Sequence, residues 1–148
     1  MAPAQFIAKL FSRSPGSSPA SQAEPPHLRL GREGERLAAR HLRRLGFKIL
    51  HRNFRSPHGG EIDLVCREKK TLVFVEVKTR APGALGRPAD AIDPEKQDAL
   101  LRGAQAWLRL LGHPNIPVRI DTVEILLPIS GTPAITHTRD ALAFTSEY

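Results

Sequence analysis

Two strand-like runs carry charges where a sheet wants apolar side chains, and they constrain this chain more than any other feature. The runs are Gly60-Glu61-Ile62-Asp63-Leu64-Val65 and Val73-Phe74-Val75-Glu76-Val77-Lys78-Thr79-Arg80. A carboxylate inside a strand costs free energy unless something compensates it. The short link Glu68-Lys69-Lys70 predicts that strands over 61–67 and 71–79 pair as a hairpin, which brings Asp63 and Glu76 to one side. Simple alternation places Glu61 with Asp63, and Ile62, Leu64 and Cys66 on the opposite face. In the third strand it places Glu76 and Lys78 with Phe74, opposite Val73, Val75 and Val77.

The surrounding pattern is helix, three strands, helix, strand. Residues 30–45 read as a helix with Ala38, Leu42 and Leu45 on one stripe, closed by Gly46. Glu35 lies on that apolar stripe, an unusual place for an acid. Residues 47–54 predict a first strand and 57–60 a turn. Residues 80–93 form a long connection broken by Pro and Gly, expected to be mobile. Asp93-Pro94 then opens a second helix to about Leu111, with Leu100, Leu101, Ala104, Trp107, Leu108 and Leu111 as its apolar face. Residues 117–127 make a fourth strand, and 135–144 extend the fold or add a last strand. A hairpin followed by a helical crossover predicts an α/β domain with a mixed sheet flanked by helices. That domain is expected over residues 28–148. Residues 1–27 are expected to be a disordered Ser/Pro-rich tail, with a short amphipathic stretch at Phe6, Ile7, Leu10 and Phe11 that lacks the features of a secretory signal.

Charge bounds the partners. The 148 residues carry a net charge of +7. The segment from His27 to Gly60 alone holds nine Lys/Arg against two Glu, while everything from Glu61 onward is slightly acidic. A basic wall beside an acidic floor suits an anionic polymer held over a metal ion. No apolar run approaches the ~20 residues of a membrane span. The single cysteine, Cys66, excludes an intrachain disulfide and fits a reducing cytoplasm. Arg36, Arg40 and Arg43 on the first helix, with Arg52, Arg55 and Arg80, are the candidates for contact with a phosphate backbone. His51 and His58 read as ordinary loop histidines, and Trp107 as core.

Two nearby carboxylates repel unless a cation lies between them. Hard oxygen ligands suit Mg²⁺ or Mn²⁺, which polarises a phosphoryl oxygen and acidifies a bound water. Asp63 and Glu76 are thus the expected metal ligands. Lys78 orients that water or neutralises charge on the phosphate, and Glu35 reaches the metal directly or through a water. The chemistry so assembled is metal-assisted phosphodiester hydrolysis.

The same residues carry a resemblance. An acid followed by Glu76-Val77-Lys78 after a hairpin resembles the PD-(D/E)XK nuclease signature, without its proline, since Asp63 follows Ile62. The longer string is Gly34-Glu35, Arg52-Asn53, 60–65, 73–80 and Lys96-Gln97, with Ala143-Phe144 near the end. It is similar to the YraN-like family of bacterial proteins over about Leu30 to Val123. The resemblance implies a restriction-endonuclease-like core similar to archaeal Holliday-junction resolvases. It implies Asp63 and Glu76 as ligands, Lys78 as catalytic lysine, Glu35 as the helix-borne acid and Gln97 as a polar residue near the site. It also implies a bacterial cytoplasmic nuclease acting on branched or structured DNA. Two other classes stay open: a non-catalytic nucleic-acid-binding protein of the same fold, and an interaction protein whose acids form a buried cluster with Lys78. A homodimer would suit cleavage of two strands, but no interface is legible in the residues.

Overall fold

In a computed structural model, which describes residues 23–83 and 93–145, strand β3 (Thr71–Arg80) is the centre of a five-stranded sheet. Its neighbours are β2 (Glu61–Glu68) and β4 (Val118–Leu126); β1 (Lys48–Arg55) and β5 (Ala134–Leu142) form the edges. The β1–β2, β2–β3 and β4–β5 pairs are antiparallel and β3–β4 is parallel. The parallel pair needs a crossover, and helix α2 (Pro94–Leu110) lies within it. Helix α1 (Pro26–Arg44) precedes the sheet. The architecture is the expected mixed α/β sheet with flanking helices, consistent with a restriction-endonuclease-like core. The terminal segment resolves into a true fifth strand.

Each helix covers one face. Ala38, Ala39 and Leu42 of α1 pack with Leu64, Cys66, Val73, Val75, Val123 and Ile125. Leu100, Ala104, Trp107 and Leu108 of α2 pack with Phe54, Ile62, Val65, Leu72, Phe74 and Ile120. The run Leu72–Val75 is buried on both sides, as its uninterrupted apolar sequence demands.

Three details depart from the sequence expectation. Helix α1 begins at Pro26, one turn before Leu30, because a proline at the first position has a preset φ and no amide to leave unsatisfied. Leu45 is half exposed instead of joining the stripe. The helix stops there: Gly46 at φ +92 turns the chain so that its amide reaches Arg43 O and the Phe47 amide reaches Leu42 O, each at 3.0 Å. Phe47, 3% exposed, takes the place expected for Leu45. Finally, Ile62 packs under α2 with Val65 instead of under α1 with Leu64 and Cys66. The simple alternation breaks at Asp63, where β2 leaves its partner. Asp93 stands at the α2 N-cap position without a side-chain capping bond. The expectations for the tail over 1–22, including its amphipathic stretch, and for the connection over 84–92 lie outside the described residues.

Two close approaches of glycine backbone fix the helices against the sheet and the turn before β2. A Cβ on Gly34 would lie 1.6 Å from Thr79 Oγ1, so α1 touches β3 directly. A Cβ on Gly60 would lie 2.4 Å from Gly103 N, so the turn before β2 rests on the α2 backbone.

The far end of β2 carries a charged network. Asp121 on β4 is fully buried and accepts from Arg119 Nε at 2.7 Å, His137 Nε2 at 2.8 Å and the Asp140 amide at 3.0 Å. Glu68 accepts two bonds from Arg139, at 2.7 and 2.8 Å, and one from Arg119 at 2.9 Å. This network ties β2, β4 and β5 together, about 16 Å along β2 from Asp63.

Two expectations follow. Gly60→Ala must push the turn off Gly103 and should cost about 1–3 kcal/mol, read as a lower melting temperature. The bonds from Arg139, then Arg119, hold the Glu68 carboxyl down at about 2 against an ordinary 4.5. The stabilisation is complete above the ordinary value and is lost as pH falls toward 2. Thermal melts of Glu68→Gln should therefore show a flatter acid limb than wild type between those values.

Candidate functional site

Strands β2 and β3 part at the acid pair. Their ladder runs from Glu68↔Thr71 to Leu64↔Val75, and the next pair in that register would set Asp63 opposite Glu76. Here the Asp63 side chain substitutes for the missing ladder partner: its Oδ2 accepts the Val77 amide at 2.7 Å. Meanwhile β3 stays paired with β4 through Arg80↔Leu126. The gap where β2 diverges is a cavity of about 140 Å³ lined by Glu61, Asp63, Glu76 and Val77 from the sheet and by Lys96 and Ala99 from α2.

The electrostatics follow from this placement. Glu76 is 8% exposed. Burial, then repulsion by Asp63, raises its pKa well above the usual carboxylate range, with Lys96 pulling it partly back. Burial raises that of Asp63, opposed by the Val77 amide and reinforced by the charge of Glu35. The two carboxyls also share a hydrogen bond, the arrangement of adjacent acids holding one proton between them.

The sequence candidates divide accordingly. Asp63 and Glu76 are together, as expected, and Glu61 stands at the cavity rim, bonded to Arg55 at 3.4 Å. Lys78 is half-buried on β3, two residues past Glu76, and is not among the lining residues. Glu35 on α1 accepts Asn53 Nδ2 at 3.0 Å, so its influence on Asp63 is through its field. Asn53 adopts φ +52 within β1, a conformation asparagine accepts more readily than most residues. Gln97 is half-buried and does not line the cavity; Lys96, its neighbour, does. Lys96, part of the family-like string, is a site residue that the sequence pattern does not mark as such, although a lysine in the first turn of a helix that follows two strand-borne acids is a usable signal. Among the phosphate candidates, Arg36 pairs with Glu33 at 2.8 Å and Arg80 with Glu124 at 2.7 Å. Arg40, Arg43 and Arg52 are exposed. Trp107 is core, in edge contact with Phe54.

The donor set fits a hard divalent cation. Two carboxylates plus waters are an ordinary Mg²⁺ complement, and their mutual repulsion is what such an ion relieves. Among the described residues no group of three or more His, Cys, Asp or Glu side chains converges for metal binding.

The raised Glu76 pKa has a stability consequence. The unfolded chain ionises this group first, so the metal-free fold loses stability as pH rises from about 4.5 across neutrality. Glu76→Gln should remove that loss and stabilise the metal-free protein at pH 8 by on the order of 1 kcal/mol. Calorimetric melts of both proteins across this range check it.

The sequence pattern of Uncharacterised protein family UPF0102 matches residues 34–125. A UPF0102 protein of Streptomyces coelicolor is 46% identical over 111 residues, covering 74% of this chain and 85% of that protein. One from Geobacter sulfurreducens is 45% identical over 112 residues, 76% and 87%. One from Rhodococcus jostii is 45% identical over 115 residues, 78% and 97%. The chain belongs to the UPF0102, YraN-like family.

Proposed function

We propose, from this family membership and the geometry of the cavity, that the chain is a Mg²⁺- or Mn²⁺-dependent nuclease hydrolysing phosphodiester bonds in DNA. The carrying observation is the pairing of half-buried Asp63 with buried Glu76 at the point where β2 and β3 part, with Val77 N–H fixing Asp63 and Lys96 facing Glu76. No helix among the described residues is long and apolar enough to cross a membrane, and the net charge of +7 favours a polyanion.

In this reading Asp63 and Glu76 hold the metal. When bound, the ion supplies Lewis-acid polarisation of the phosphoryl oxygen and a more acidic water. The Val77 amide keeps the Asp63 carboxylate oriented. Lys96 supplies positive charge on the α2 side of the cavity. Lys78, on the same strand as Glu76, orients the attacking water or balances charge developing on the phosphate. Glu35, held by Asn53, adds negative field that favours cation binding. The bacterial cytoplasm is the compartment this reading implies.

A second reading, nucleic-acid binding without turnover, is favoured by the Glu35–Asn53 bond, which keeps the third acid away from the pair. Incubation with single-stranded, duplex, flapped and four-way-junction DNA separates the two. The nuclease reading expects metal-dependent cleavage, abolished in Asp63→Asn and reduced about 10²–10³-fold in Lys78→Ala. It also expects Mn²⁺ to raise the melting temperature of wild type but not of Asp63→Asn. Salt-sensitive binding without cleavage of any substrate would establish the second reading.

A further inference from the structure

A second cavity, of about 410 Å³, lies against the other half of α2. Its volume falls in the range of about 300–1,000 Å³ that holds one small ligand. Three segments wall it: the turn before β2 with Ser56 and His58, the α2 face with Arg102, Gln105 and Arg109, and the chain after β5 with Phe144. Leu101 and Phe144 give it an apolar floor, and the Phe144 ring is braced edge-on by Phe74 at 6.3 Å. Among the described lining residues there are two arginines and a histidine but no carboxylate. Arg102 donates to the Gly59 carbonyl at 3.4 Å, and Arg109 is exposed in the last turn of α2.

Its position relative to the acid pair is set by the helix. Lys96 lines the acid cavity; Arg102 and Arg109 follow about 9 and 20 Å farther along the α2 axis. The Gly60–Gly103 backbone contact stands between the two cavities. At the ~3.4 Å per nucleotide of a stacked strand, a strand lying along α2 would bring a nucleotide at most about three to six positions from the one at the acids into this cavity. Stacked, paired bases present only their edges and cannot enter a recess walled on three sides. A splayed base can, with its face on an aromatic or arginine plane and its phosphate on a guanidinium.

We infer that this recess seats one unpaired nucleotide of the substrate strand, so that the protein acts on DNA carrying a single-stranded segment beside the cleavage position. The inference rests on the nuclease reading above and names its substrate class. Arg102 and Arg109 take the phosphates, Phe144 and Leu101 the base face, and Ser56 and Gln105 the base edge.

The test uses the full chain with Glu76→Gln, to prevent cleavage, and two fluorescent DNA hairpins, one blunt and one with a short single-stranded extension. The extension should tighten binding about tenfold. Arg102→Gln/Arg109→Gln should lose that gain while leaving blunt-hairpin binding and the melting temperature unchanged. Phe144→Leu, which keeps an apolar contact with Phe74, should lose part of it. Equal binding of the two hairpins, or a gain that survives in the double variant, overturns the inference and leaves the nuclease reading standing. Equal loss on both hairpins also overturns it, since the arginines are then a general backbone patch. Failure of the wild-type chain to bind or cleave any DNA overturns both readings together.

Discussion

Strand β3, buried on both faces from Leu72 to Val75, must have its backbone groups satisfied, and the rest of the molecule is arranged around that demand. On one side β4 runs beside it from Leu72 to Arg80. On the other, β2 accompanies it only to Val75. Beyond that point a half-buried amide, Val77 N–H, has no β2 partner to donate to, and a donor shielded from water and left unmet is costly. Asp63 supplies the acceptor from its side chain. A carboxylate is thereby drawn into the interior, next to Glu76, for a reason internal to the sheet. The acid pair is the chemical by-product of a topological junction, and the cavity is the space that the departing strand vacates.

Both helices are then held by close backbone approaches that only glycine permits. Gly34 lets α1 touch Thr79 and keeps Glu35 near enough for its field to reach Asp63. Gly60 and Gly103 seat the turn before β2 on α2 and so fix where Lys96 stands relative to the acids. The charged network at the other end of β2 is what lets the acid end remain unfavourable. Glu68, Arg119, Asp121, His137 and Arg139 satisfy one another across three strands, whereas Asp63 and Glu76 repel. Satisfied charge is concentrated at one end of the sheet and mutually repelling charge at the other.

Much of this was legible in the residues. The period-two runs, the Lys69-Lys70 hairpin and the Asp93-Pro94 helix start located the elements within a few positions. The embedded charges located the acid pair. What escaped notice depends on geometry that periodicity does not carry. Ile62 changes faces because β2 bends away at Asp63, and strict alternation has no term for divergence. Leu45 gives its core position to Phe47 because Gly46 reverses the chain. Lys96 lines the cavity and Gln97 does not, a distinction of 100° around a helix whose axis the sequence does not orient. Asp121 shows the limit of the strongest signal. It too is an acid inside an apolar strand, Val118–Leu126, yet it is fully paired and structural. A buried strand carboxylate announces compensation; only its partners tell whether the compensating charge is built into the protein or brought from outside.

The bond from Val77 to Asp63 has one more consequence. It couples a main-chain proton at the middle of the central strand to the electronic state of a carboxylate in the cavity. Whatever alters the electron density on Asp63 polarises that amide, so its nuclear resonance is a reporter wired into the sheet. An amide spectrum of isotopically labelled protein therefore contains, at a single backbone position remote from any engineered label, a direct electrical readout of what the cavity holds.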